Sequence, residues 1–147
     1  MLLLENHIAV VTGAGSGIGR TIAAGFAAEG AHIVLLDIIS EAAAEAAEQI
    51  REAGGTASHF SLDITDRDRC FSVARIAENE IGSVSILVNN AGLVRRNGIK
   101  AVAELAARDW QEVINTNLDG MFDVTQVFLP SLQRTRGRIK IWDPCCP

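Results

Sequence analysis

Residues 10–20 read VVTGAGSGIGR, an apolar run that breaks into four glycines within seven residues and then into a helix-forming stretch. This feature limits the fold more than any other. Glycine reaches positive φ without strain and carries no Cβ to obstruct a close neighbour. Between a strand and a helix, such a turn brings the first N–H groups of the helix up to whatever anion lies beyond them. Gly13, Gly15, Gly17 and Gly19 therefore predict a phosphate-binding turn, provided that a buried strand precedes it and a helix follows. Residues 7–12 are a short β-rich run, and residues 18–29 set Ile22, Ala23 and Phe26 on one face before Gly30 stops the helix.

The alternation continues along the chain. Residues 32–36, 56–62, 85–88 and 137–141 read as further strands, and residues 40–53, 65–81 and most of 103–132 as helices, with Pro130 near the end of the last. Ser40 is expected to cap the second helix and Gly54 and Gly55 to end it, while Thr65 with Asp68 forms a near capping box on the third. Strands joined by helices of this length need right-handed crossovers. The expected fold is α/β, a Rossmann-like, doubly wound parallel sheet, incomplete at about five strands, with helices on both faces. No composition shift marks a second domain. Residues 1–139 are expected to form one dinucleotide-binding unit, with 140–147 as an aberrant tail.

At 147 residues and 48% hydrophobic, the chain can bury one substantial core. Thirteen basic against eighteen acidic side chains, with no dense basic cluster, argue against nucleic acid as a partner. Residues 1–4 are apolar, but Glu5 and Asn6 cut the run too short for a signal sequence or a membrane span, so the cytoplasm is expected. Three cysteines, with Cys145 and Cys146 adjacent, suggest neither a disulfide framework nor a metal site. Cys70 shares helical spacing with Val73, Ala77 and Ile81 and is expected as a small core residue.

Asp37 ends the second strand 18 residues after Gly19, close to the ~20 expected of an acidic residue that bonds an adenosine ribose. A carboxylate there accepts both ribose hydroxyls and repels a 2′-phosphate, which favours NAD over NADP. Ser16, where an NADP-preferring turn would often be basic, points the same way. Taken alone, Asp37 is also compatible with a helix-capping or loop aspartate.

TGAGSGIG (residues 12–19), LDIT (62–65), NNAG (89–92) and NTNLDG (115–120), in this order over residues 5–139, resemble the short-chain dehydrogenase/reductase family. That family moves hydride between NAD(P) and an alcohol or carbonyl compound. The resemblance implies that Gly13, Ser16, Gly17, Ile18 and Gly19 hold the cofactor's phosphates. Asp63 and the Ile64 N–H would meet the adenine, and Asn89, Asn90, Ala91 and Gly92 would end the fourth strand against the cofactor. Asn117 matches the catalytic asparagine whose helix backbone holds a water of the proton relay. Pairing of the helix around residues 121–132 with a second copy, giving a homo-oligomer, is implied as well.

Departures are equally plain. The family's chemistry uses a Ser to polarise the carbonyl, a Tyr to exchange the proton and a Lys to lower the tyrosine pKa. This sequence has no tyrosine, and its lysines, Lys100 and Lys140, are not in a Tyr-x-x-x-Lys setting. His7, His32 and His59 are not expected to substitute. Reading the codons of residues 140–146 two bases later permits Asn-Met-Gly-Ser-Leu-Leu, with Asn and Ser where the family has them. A frameshift or truncation near Lys140 is therefore expected, giving an inactive chain, a non-catalytic dinucleotide-binding remnant or an oligomerisation module, with apolar surface open to water and a marginal monomer.

Overall fold

β1 (Ile8–Thr12) is buried at four of its five positions, and the fold is built outward from it. A strand whose successive side chains are buried on opposite sides must lie inside a sheet covered twice. Ala9 and Val11 enter one apolar layer and Val10 the other. The computed structural model describes residues 2–93 and 102–142. Lys100, Cys145, Cys146 and the rest of the tail after Trp142 lie outside the described residues.

From β1 the chain passes through α1 (Gly17–Ala28) to β2 (His32–Asp37), through α2 (Ser40–Glu52) to β3 (Thr56–Ser61), and through α3 (Arg67–Glu80) to β4 (Ile86–Asn89). A 3-10 turn (Val102–Glu104), α4 (Ala107–Ile114), a π-helical turn (Asn115–Gly120) and α5 (Met121–Thr135) then lead to β5 (Arg138–Ile141). All pairings are parallel and the order is β3-β2-β1-β4-β5. The sheet is doubly wound, as expected, and its order reverses beside β1.

The two covering layers differ in chemistry. α1 and α2 meet the sheet through Ala23, Ala27, Ala46 and Ala47, small enough to let helix and sheet approach closely. α3 and α5 meet it through Cys70, Val73, Val124 and Phe128, and burying a side chain such as Phe128 contributes about 2–3 kcal/mol. Arg67 joins these two helices by reaching Asp123 and Gln126, and Arg134 bonds Glu78 at 2.8 Å. Cys70 is buried as expected. Burial, followed by the charges of Asp123, Asp66 and Asp63, pushes its thiol up to about 11.

Two helix starts depart from expectation, both because an aspartate acts first. Ser40 is the first residue of α2 and not its cap; the N-cap is Ile39, whose N–H goes to Asp37 Oδ1 at 2.9 Å. The expected Thr65 cap is displaced too. Thr65 donates its N–H and hydroxyl to Asp63 Oδ1 at 2.9 and 2.7 Å, and Asp66 caps α3 by accepting from the Arg69 N–H at 3.0 Å. Pro130 lies inside α5, which runs on to Thr135. β5 includes Lys140 and Ile141, and the Trp142 N–H extends its ladder to the Asn89 carbonyl at 2.9 Å. No helix among the described residues is long and apolar enough to cross a membrane.

Candidate functional site

Because the chain leaves β1 for β2 on one side and reaches β4 on the other, a crevice opens at the C-terminal end of β1. Ligands of open α/β sheets bind in such a crevice. The glycine turn occupies it. Gly13 has φ +62°, and a Cβ there would lie 2.9 Å from Ala91 Cα and 3.1 Å from Asn90 Nδ2. A Cβ on Gly19 would overlap the Gly13 carbonyl oxygen. Without side chains at these two positions, the start of α1 sits directly against the end of β4.

Ser16, Gly17 and Ile18 are exposed at the mouth of the crevice. Ser16 is the N-cap of α1, yet its side chain makes no capping bond, and a Cβ on Gly17 would meet nothing within 4 Å. Uncapped first-turn N–H groups beside open space suit an anion, so the residues present fit the pyrophosphate of a dinucleotide.

Thr12, absent from the expected site residues, organises the crevice floor. Its hydroxyl donates to the Val88 carbonyl at 3.4 Å and accepts the N–H groups of Asn90 and Ala91 at 3.0 and 2.9 Å. A hydroxyl at a strand's last position, just before the glycines, was the available signal. The two asparagines then diverge, since successive strand residues face opposite ways. Asn89 is buried and donates to Thr125 Oγ1 on α5 at 2.9 Å, whereas the Asn90 amide donates to the Thr12 and Gly13 carbonyls at 3.0 and 3.2 Å.

Asp37 lies at the end of β2. Its Oδ2 accepts the Gly15 N–H at 2.8 Å and its Oδ1 the Ile39 N–H, so one carboxylate ties the glycine turn to the start of α2. The loop and ribose-directed roles are therefore compatible. Next to it, the Asp37 carbonyl receives the Leu62 N–H at 2.9 Å and leads into Asp63 and Ile64. Asp63 is exposed; Ile64 is buried against Gly120, where a Cβ would come within 2.8 Å of Ile64 Cγ1.

Asn117 sits in the π-helical turn. Its Oδ1 accepts the Leu93 N–H at 2.7 Å and its Nδ2 donates to the Leu93 carbonyl at 3.2 Å, clasping the segment that carries Ala91 and Gly92. Thus Gly13, Ser16–Gly19, Asp37, Asp63, Ile64, Asn90–Gly92 and Asn117 line one end of the sheet, and the Asn89 side chain supports it from the far face. His7 and His32 do not join them. His32 opens β2 and His7 immediately precedes β1, so each is at least about 13 Å of strand from the turn. His7 Nδ1 contacts Ser85 Oγ at 2.9 Å and His32 Nε2 contacts Ser58 Oγ at 3.0 Å, and burial lowers the His32 pKa.

The model of the short chain dehydrogenase family matches residues 7–141. The 3-oxoacyl-[acyl-carrier-protein] reductase FabG of Thermotoga maritima is 35% identical over 134 residues, covering 91% of this chain and 53% of that protein. Among solved structures, the citronellol catabolism dehydrogenase AtuB of Pseudomonas aeruginosa PAO1 superposes with a TM-score of 0.88 at 35% identity, over 95% of this chain and 56% of that one. A 7α-hydroxysteroid dehydrogenase complexed with NADH and 7-oxo glycochenodeoxycholic acid gives 0.87 at 34% identity, over 95% and 54%. The chain spans about half the length of the curated relatives it matches.

Proposed function

The chain belongs to the short chain dehydrogenase family, and on that premise we propose that it binds NAD, in preference to NADP, at the glycine turn. We further propose that the activity associated with this fold is hydride transfer between NAD and a small alcohol or carbonyl compound. The observation that carries the reading is the Asp37 carboxylate beside an uncapped, glycine-lined helix start. Gly13, Ser16, Gly17, Ile18 and Gly19 hold the pyrophosphate through backbone N–H groups. Asp37 accepts the ribose hydroxyls, and Asp63 and Ile64 border the adenine. Asn89, Asn90, Ala91 and Gly92 form the floor toward the nicotinamide, and Asn117 fixes that floor and carries the relay water on its backbone. NAD supplies the hydride acceptor when bound.

By itself, this chain binds without turning substrate over, since its 147 residues include no tyrosine to exchange the proton. A cytoplasmic location is part of the same proposal, and no helix among the described residues is long and apolar enough to cross a membrane. Phe122 and Leu129, exposed on α5, support the homo-oligomer inferred from the family resemblance. Calorimetric titration with NAD and NADP, followed by an NADH assay over a panel of alcohols, tests the reading. Saturable NAD binding, weaker NADP binding and no NADH are expected. Turnover would refute the non-catalytic assignment, and failure to bind either dinucleotide would refute the site.

A further inference from the structure

Gly15 differs from the glycines beside it. Its φ is not positive, so its conformation is open to other residues and the missing Cβ matters for space alone. A Cβ there would lie 3.0 Å from Asp37 Cγ and Oδ2 and 2.8 Å from Ala42 Cβ, so it could retreat neither toward the carboxylate nor toward α2. The Gly15 N–H also donates to Asp37 Oδ2 at 2.8 Å while the Ile39 N–H holds Oδ1 at 2.9 Å. A carboxylate has about four acceptor positions, two per oxygen. With one on each oxygen taken by the backbone, one on each is left for the two donors of a vicinal diol.

We infer that Gly15 is a positioning residue for cofactor discrimination: it holds Asp37 in the one orientation that accepts both hydroxyls of the adenosine ribose. This rests on the dinucleotide reading above and adds a residue to it. A side chain at position 15 turns the carboxylate away, which weakens its bonds to a 2′,3′-diol and relieves its repulsion of a 2′-phosphate. NAD loses affinity while NADP does not, a pattern that general damage to the turn would not give.

The test measures NAD and NADP dissociation constants for the unaltered chain, Gly15→Ala, Asp37→Ala and the double variant. Gly15→Ala is expected to cut the preference for NAD over NADP roughly tenfold, the scale of one hydrogen bond to a charged group. In the Asp37→Ala background it is expected to leave the ratio unchanged. An unchanged ratio in folded Gly15→Ala, or an equal loss with Asp37 already removed, overturns the inference while NAD binding by the unaltered chain stands. No binding of either dinucleotide by the unaltered chain overturns both readings. Should Gly15→Ala not fold, the Gly15 amide resonance of the unaltered chain decides the matter. It supports the inference if it moves with ionisation of Asp37 and contradicts it if it does not.

Discussion

Replacing Thr12 by valine should loosen the crevice floor without changing its volume. The two side chains are nearly isosteric, so no cavity forms and the effect is confined to the hydroxyl. That hydroxyl accepts two backbone N–H groups, from Asn90 and Ala91, and donates to the Val88 carbonyl through a long 3.4 Å contact. Each N–H left without its acceptor costs about 1–3 kcal/mol. The Asn90 and Ala91 positions are only part-buried, so water recovers some of this and the lower end applies to each. A total near 2–3 kcal/mol is expected, and with a urea m-value of about 2 kcal/mol per M the unfolding midpoint falls by roughly 1 M. Thr12→Ser keeps the hydroxyl and loses only a methyl, about 1 kcal/mol, so it must be the milder change. The reasoning is refuted if the valine variant unfolds within about 0.2 M of the parent, or if serine proves worse than valine.

Phe128→Ala, in the apolar layer between sheet and α5, should cost about 3–5 kcal/mol, and Phe128→Leu under about 1.5, both read from urea midpoints. The Cys70 thiol ionises in the unfolded chain near 9.0 but in the folded one only at about 11, so stability held below the first value is lost as pH rises toward the second. Urea midpoints across that window should fall less in Cys70→Ala than in the parent. His32 runs in the acidic direction. Its pKa is lowered from 6.5 by burial, so the unfolded chain takes up the proton first and stability drops as pH falls through 6.5. Thermal melts on either side of that pH should show a smaller drop in His32→Gln; an identical drop would assign the acid sensitivity to other groups.

The glycine turn, the place of Asp37 at the end of β2 and the alternation of strands and helices were legible because each is a local pattern with a single physical cause. β1, for example, was expected over residues 7–12 and runs Ile8–Thr12. Caps were less legible, since they are settled by competition. Ser40 and Thr65 have capping side chains, but Asp37 and Asp63, stronger acceptors upstream, take the neighbouring N–H groups first. Thr12 was missed because its partners lie more than 70 residues away, at the end of β4. The different destinations of Asn89 and Asn90 follow from strand alternation and could have been separated from the sequence. The π-helical turn could not, because an apolar spacing over residues 103–132 is the same whether or not the backbone takes one wide turn.

That wide turn makes residue number, as distinct from residue type, a constraint on the helix. A π turn is an α-helix with one residue too many. Remove Leu118 or Asp119 and the rod from α4 to α5 becomes regular, but everything upstream of the deletion rotates by about 100°. Asn117 would then no longer face Leu93 while Val124 and Phe128 kept their place in the core. Circular dichroism and an NAD titration would register the two halves of this as opposite changes. The segment can exchange side chains freely where they are exposed, but it cannot gain or lose one without trading helical regularity against alignment with the crevice.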